Sequence, residues 1–598
     1  MTETPVAEDL VANEPNRGFS ARSVITGAAL GALLSLCNIY LGLKIGWGMN
    51  MSITAALIAF GFWAAASKAF RVRPFGIGEN NINQTAASAG AAISSAGLVA
   101  PIPAWTMLTG EQLSYPALVV WVLSVGMVGV VVAVALRRQL LEVDKLPFPG
   151  GLATGQTLKE IYAKGEDAVS RVQMLGAGAV LGVASKLANL VAHLKPIGLP
   201  FALPAGAGAA AKGVTSYSAL NLTIALEPSA LMVAVGMIIG VRACVSMLVG
   251  GLFAWGILLP YALDQGWASP GKPEAVWFAE GVKWLLWPGV SMMVAASLTS
   301  FAFSWKAVLS ALRPGSGAAG EQHPGEVPRA VYRVWFAVVL AAAVACQVVL
   351  FDIKPWLAIF GVFLSFVMAI VAGRVTGETN VTPVGAMGKV TQLTFGVLDA
   401  SNISSNLMAA NVTGGAASQC GDLLHDMKTG LVLGSWPKHQ AFSQSMGVLA
   451  GSIVGSAAYM LLIPTPKEQL LTEEWAAPAV ATWKAVAEVF AQGISAMPAG
   501  TMEAMAIAAA VGVVGAVLEK VLPKKIVTWM PSPVSVGLAF TLQVYTGLAF
   551  ALGALIMVVL KRVAPAWADK YGVVLAAGII AGESVAGVGD AFYKMFGG

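Results

Sequence analysis

Stretches of about twenty mainly apolar residues, enough for one helix to cross roughly 30 Å of hydrocarbon, recur along the whole of this 598-residue sequence. Strong candidates lie at 23–43, 50–67, 115–136, 171–191, 228–261, 285–311, 330–350, 355–373, 446–463, 499–518 and 534–560. Weaker segments, rich in small polar residues, lie near 81–100, 149–165, 197–226, 383–413, 478–495 and 571–590. Together they predict an all-α polytopic membrane protein with about 14–16 membrane-embedded helices, some of them broken or re-entrant. The charge content agrees. Asp, Glu, Lys and Arg make up 11% of the chain, against about 25% in soluble proteins. So few charges cannot coat a water-facing surface, which excludes a soluble enzyme and a disordered scaffold. The net charge of +5 is spread thinly, so no nucleic-acid footprint is expected.

Cys37, Cys244, Cys346 and Cys420 are scattered without metal-ligand or redox spacing, and the four histidines form no HExxH pattern. No metal site and no cofactor is expected. Residues 1–16 are acidic and polar, and the first apolar run is a full span, which argues against a cleaved leader. Lys and Arg gather in short loops: Arg17 and Arg22, then Lys68, Arg71 and Arg73, then Arg137 and Arg138, then Lys520, Lys524 and Lys525. That bias places the N-terminus in the cytoplasm. The expected organisation is a cytoplasmic tail at 1–20, a first transmembrane repeat at 21–311, a linker at 312–329 and a second repeat at 330–598. An inserted polar loop is expected at 420–445.

The division into repeats rests on three echoes in the same order. Gly78-Glu79-Asn80-Asn81 returns as Gly377-Glu378-Thr379-Asn380, 299 residues later. Pro149-Gly150-Gly151-Leu152-Ala153-Thr154 returns as Pro478-Ala479-Val480-Ala481-Thr482, and Glu227-Pro228-Ser229 as Pro531-Ser532-Pro533. Duplicated membrane folds with broken helices are typical of secondary transporters, which rock one part against another. Whether the halves are parallel or inverted is left open by the sequence.

Ionisable groups at membrane depth are costly and mark candidate sites. Glu79 and Glu378 head the candidates for proton coupling or substrate contact. Asn80, Asn81, Asn83 and Gln84 follow the first, and Asn380 and Thr382 the second. The competing reading puts both glutamates at helix ends, paired with Arg71, Arg73 or Arg374. The two Ala-Thr segments read as re-entrant half-helices whose amides could face an anion, with Thr154, Gln156 and Thr482 as candidate contacts and Lys159 at the far end. Asn402 and Asn406 share one helical face with Asp399 and Thr413, as a path or as interhelical glue, whereas Asn411 falls off that face. Tyr40 and Lys44 are i, i+4; Lys44 reads as snorkelling to the interface, with a substrate contact as the other option. Glu227 is a further secondary candidate. Gly27/Gly31 and Gly178/Gly182 are helix-packing signals.

The run Asp422-Leu-Leu-His-Asp426-Met-Lys428-Thr429-Gly430, followed by Ser435-Trp-Pro437-Lys438 and Ser443-Gln444, resembles the signature of the oligopeptide transporter family, in particular its yellow-stripe-like branch. Asn38-x-Tyr40-x-Gly42-Leu43-Lys44, the Glu79-Asn80 segment and Phe148-Pro149-x-Gly151 are similar to that family too. Met427, Lys438 and Gly150-Gly151-Leu152 depart from its usual residues. The resemblance covers about 20–590 and implies a bacterial inner-membrane importer, proton-coupled, of small oligopeptides. Metal–chelator complexes of the siderophore or nicotianamine kind are the alternative substrate. Peptide or chelate, protons and lipid are then the partners, with a homodimer possible. Asp422, Asp426 and Lys428 are expected in a cytoplasmic gating loop. A membrane-embedded enzyme would need a nucleophile–base pair or metal cluster that the scattered His and Cys do not supply. A passive channel would need rings of one chemistry.

Overall fold

The first long helix starts at a closed capping box, in which the Ser20 hydroxyl accepts the Ser23 amide and the Ser23 hydroxyl accepts the Ser20 amide. These bonds satisfy amides that a helix start leaves without intrahelical partners. The computed structural model describes residues 10–163, 165–211, 213–303, 325–493 and 497–596. Among the described residues, thirteen helices are long and apolar enough to cross a membrane. The protein is an all-α polytopic membrane protein.

Numbering only helices of seven residues or more, the chain begins with α1 (Ala21–Ile45), α2 (Ser52–Phe70), α3 (Ile77–Ala91), α4 (Pro101–Thr109) and α5 (Tyr115–Arg137). It continues through α6 (Pro149–Ala163), α7 (Gly165–Ala192), α8 (Ala230–Ile239), α9 (Val241–Phe253) and α10 (Phe278–Ala302). Then follow α11 (Arg329–Phe351), α12 (Pro355–Thr379), α13 (Val384–Leu398), α14 (Ile403–Leu433) and α15 (Pro437–Leu462). The last are α16 (Pro478–Gln492), α17 (Thr501–Val521), α18 (Pro533–Ala539), α19 (Val544–Val563) and α20 (Val573–Phe596). Helices α3 and α4 are two pieces of one candidate span, Ile77–Thr109, whereas α14 is continuous.

Polar contacts at the helix ends fix the relative direction of α1 and α12. Arg22 at the start of α1 pairs with Glu79 at the start of α3, and Arg17 donates to the Gly434 carbonyl just past α14 at 2.7 Å. On the opposite face, Lys354 before α12 pairs with Asp399 before α14 at 3.4 Å. The end of α14 therefore shares a face with the start of α1, while its beginning shares a face with the start of α12. Helix α12 therefore runs opposite to α1.

Glycine faces set the closest packing. Helices α7 and α20 cross so tightly that a Cβ on Gly182 would lie 2.2 Å from the Ile579 carbonyl oxygen, and one on Gly582 would lie 2.0 Å from that of Ala179. Gly178 abuts the same helix, and Gly27 and Gly31 abut α3 at Asn83, Ala86 and Ala87. Small residues let membrane helices approach closely enough for dispersion and backbone contacts to hold them.

Two expectations are corrected. The stretch 197–226 is not a span: Ile197–Gly198 pairs antiparallel with Ala225–Leu226, and Ala202–Pro204 with Ser216–Ser218. Pro200, Pro204, Gly198 and Gly206 deny it a continuous helix, leaving one turn at Ala207–Ala210. The inserted loop at 420–445 is absent, because those residues run through the end of α14 and the start of α15. Most of their polar side chains are buried inside the bundle, so polarity there does not mean solvent. Of the expected linker, 312–324 lies outside the described residues.

Gly182→Val and Gly582→Val should each lower stability by about 2–3 kcal/mol through overpacking. Gly176→Val, whose Cβ would meet nothing within 4 Å, should change it little. Thermal unfolding in detergent measures the contrast.

Candidate functional site

Three breaks in the helices converge near the centre. Helix α1 stops at Gly46 in the left-handed region (φ +96°), and residues 46–51 turn back along it. Asn38 holds that return: its Oδ1 accepts the Met49 amide at 2.9 Å, and its Nδ2 donates to the Met49 and Ala91 carbonyls at 3.0 Å each. Helix α12 stops likewise at Asn380 (φ +66°), before a return through 381–383 in which Thr376 Oγ1 donates to Thr382 Oγ1 at 3.0 Å. The third break follows α3 at Gly97 (φ +124°), where a Cβ would lie 2.1 Å from Asn411 Oδ1. Asn411 Nδ2 donates to the Ala96 carbonyl there at 3.0 Å.

Helices α6 and α16 enter as half-helices, each opened by proline. The Phe148 amide donates to the Gly377 carbonyl near the end of α12, and the Ala477 amide donates to the Leu43 carbonyl near the end of α1, both at 3.0 Å. The two Pro-opened segments thus make similar contacts, each with a carbonyl near the end of a long helix. Ser229 and Ser532 also match, as the N-caps of α8 and α18. The Glu79–Glu378 echo does not match: Glu79 lies in the first turn of α3, whereas Glu378 is the next-to-last residue of α12.

Between the breaks lies a cavity of about 470 Å³. Residues 46–51 line one wall, Val381, Thr382, Val384 and Gly385 another, and Ala479 and Trp483 of α16 a third. Ser88, Ser94 and Ser95 come from the broken helix, while Asn411, Gly414, Ser418 and Asp422 form a stripe along α14. Asp422 is the one carboxylate among the described lining residues, and none of them is Lys, Arg or His. A second cavity of about 280 Å³ lies at the start of α6 and shares Met49, Asn50 and Met51 with the first. It also meets Gly150, Thr154, Asn380 and His425.

The sequence candidates divide sharply. Glu79 is 1% exposed and closed off by Arg22, by Arg73 at 2.9 Å and by the Ser20 hydroxyl at 2.7 Å; Glu378 is 44% exposed beside Arg374. Both sit at helix ends outside either cavity. Asn80 donates to the Ala56 carbonyl, Asn81 to Ser435, Asn83 to Ser23 and Thr26, and Gln84 to Asn81 and Thr85. These amides tie α3 to its neighbours. Asn402 caps α14, and Asn406 exchanges hydrogen bonds with Gln392, so that stripe is glue. Thr382 lines the larger cavity, Thr154 and Asn380 the smaller. Thr482 borders Trp483, and its carbonyl accepts from Lys389 at 3.4 Å.

Gln156 is exposed and Lys159 half-buried. The Gly150 and Gly151 amides, expected to face an anion, are already bonded to Asn380 Oδ1 at 2.6 Å and His425 Nδ1 at 3.2 Å. Lys44 donates to the Glu474 carbonyl and lies 4.9 Å from the Trp475 ring centre, and that ring packs edge to face with Tyr40. Glu227 lies on the same face, where burial pushes its carboxyl up to about 7 against the opposing pull of Lys44. Asp422, Asp426 and Lys428 are interior residues of α14, not members of a loop; the Lys428 ammonium donates to the Leu146 carbonyl at 3.1 Å.

Sequence reasoning missed Asn38, Asn50, Ser88 and Ser94 as lining residues, and set Asn411 aside. The i, i+3, i+7, i+11 spacing of Asn411, Gly414, Ser418 and Asp422 was the available signal for the last. It also missed Lys389, 3% exposed, which donates to Gln392 Oε1 at 2.6 Å and lies 4.5 Å from the Trp483 ring centre.

The family model described as OPT oligopeptide transporter protein matches residues 19–594. A metal-nicotianamine transporter of Arabidopsis thaliana is 23% identical over 95% of this chain and 92% of its own. Two provisionally named oligopeptide transporters are 24% identical: one from Haemophilus influenzae over 92% of both chains, one from Saccharomyces cerevisiae over 78% of this chain and 80% of its own.

The different settings of the two glutamates separate their expected behaviour. Glu79→Gln opens a buried ion pair and should cost about 3 kcal/mol, whereas Glu378→Gln removes a surface pair worth at most about 1 kcal/mol. Melting temperatures in detergent would read the difference.

Proposed function

We propose that this chain, which belongs to the oligopeptide transporter family, is a secondary active transporter that imports small peptides across the inner membrane, driven by protons. The observation that carries the reading is the cavity held between two re-entrant helix starts. Its volume falls within the ~300–1,000 Å³ of small-molecule pockets, and its walls come from both halves. Rocking one half against the other would expose such a site alternately to each face. The N-terminal face, which carries Arg17, Arg22, Arg71 and Arg73, is then cytoplasmic by the positive-inside bias.

The lining favours a ligand with a cationic group. Serine hydroxyls and asparagine amides supply neutral hydrogen bonds, and Asp422 supplies a single negative charge. A peptide presents an ammonium group to that carboxylate and backbone amides to the rest. A metal chelate of the kind named for the plant relatives is the second reading, and it places less demand on Asp422. The outer surface suits lipid: Val180, Val191, Ile507 and Val511 are exposed, and the same kind of surface would serve a homodimer.

Uptake by proteoliposomes of labelled di- to tetrapeptides and of metal–nicotianamine complexes tests the reading. Peptide uptake should saturate and accumulate against a gradient. In Asp422→Asn its KM should rise roughly 10- to 100-fold, the worth of a hydrogen bond to a charged group. Uptake of chelates alone would favour the second reading. Uptake that only equilibrates would indicate a channel and defeat both.

A further inference from the structure

Asp426 lies one helical turn beyond Asp422 on α14, so the two carboxylates stand on one face. They differ in access. Asp422 lines the cavity, and Asp426 is 1% exposed. From the end of α14 at Leu433, a rise of 1.5 Å per residue puts Asp422 about 17 Å and Asp426 about 11 Å inside the N-terminal face. Neither carboxylate has a cationic partner among the described residues.

Apart from Asp422, the groups that face Asp426 are neutral. Ser52 of α2 donates to its Oδ1 at 3.4 Å, with Ser88 and Gln84 of α3 beside it. Gln440 of α15 donates to its backbone carbonyl at 2.5 Å, not to its carboxylate. Lys428 turns away to the Leu146 carbonyl, and His425 to the Gly151 amide. Arg22 and Arg73 are engaged by Glu79, and Arg374 by Asp144 at 2.5 Å. Asp426 Oδ2 has no hydrogen-bond partner, and neither has Oε1 of the adjacent Gln84. Two buried acceptors without a donor are what remains when a shared hydrogen is left out, because a protonated carboxyl supplies the missing O–H.

We propose that Asp426 carries the proton of the transport cycle and exchanges it with the cavity through Asp422. The inference rests on the transport reading above for its role, though not for the protonation itself. After substrate has left, the proton passes from Asp426 to Asp422 and on to the cavity, and a new proton restores Asp426 before the next substrate ammonium pairs with ionised Asp422. The two carboxylates then hold one proton and one cation, with no net charge at membrane depth. Gln84, Asn81 and Ser435 continue as a hydrogen-bonded polar track from this position to the N-terminal face.

Two measurements on the full-length protein test this. Infrared difference spectra at neutral pH should show a protonated-carboxyl band that is lost in Asp426→Asn and kept in Glu378→Gln. A protonated-carboxyl signal absent from the wild type, or left undiminished by Asp426→Asn, would overturn the assignment whether or not the protein transports peptides. In proteoliposomes with trialanine as probe, a one-unit pH difference should drive about tenfold accumulation per coupled proton in the wild type. Asp426→Asn should lose this accumulation yet still exchange labelled for unlabelled trialanine. Accumulation equal to wild type, loss of exchange at an unchanged melting temperature, or dependence on sodium in place of protons would each refute the role. If the wild type moves no trialanine, the infrared result still decides the protonation, and it is the peptide reading that fails.

Discussion

In hydrocarbon, a backbone amide or carbonyl that leaves its helix has no water to bond, so every break must be satisfied by the protein itself. This protein interrupts its helices at the very places where its cavity forms, and a specific group answers each interruption. Asn38 holds the return after α1 through three hydrogen bonds. Asn411 takes the carbonyl freed before Gly97. Asn380 closes α12 and reaches the first amide of α6. The prolines that open α6 and α16 bring no amide of their own to satisfy. The cavity exists because its broken walls are stitched.

The same economy governs the polar interior. Gln392 and Asn406 exchange hydrogen bonds, Lys389 bonds Gln392 while lying over Trp483, and Gln444 donates to Gln419, which donates to the Ala89 carbonyl. These networks hold α13, α14, α15 and α16 around the cavity, and Trp483 is their one member on its wall. Against this largely satisfied background Asp422 and Asp426 stand out, since their carboxylates are not neutralised by any cation among the described residues. The buried pair at Glu79 is the opposite case: two arginines and a serine fix it as a joint between α1, α3 and the segment before α3.

How much could be read in advance depended on whether a signal was local. Helix breaks were legible at Pro149 and Pro478, because proline and glycine act on their own backbone. Gly178 and Gly182 were legible as a packing face for the same reason. The equivalence of Glu79 and Glu378 misled, because a short shared string says nothing about helix direction. The run from Asp422 to Lys428 was read as a loop because it is charged. It is buried because α2, α3 and α6, hundreds of positions earlier, and the neighbouring α15 surround it. On α14 the face from Asn402 to Asn406 was chosen over that of Asn411, although both have helical spacing.

Taken alone, the sequence determined that the chain lives in a membrane, that it is helical, and that helices open at Pro149 and Pro478. Those properties follow from hydrophobic length, from scarce charge, and from proline's effect on its own backbone. Only the tertiary structure decided that α12 runs opposite to α1, where α1, α3 and α12 break, which helix face borders the cavity, and which acids are paired. Such outcomes depend on what lies opposite each side chain. In a medium without water, that opposite group decides whether a polar residue serves as a joint or as a site.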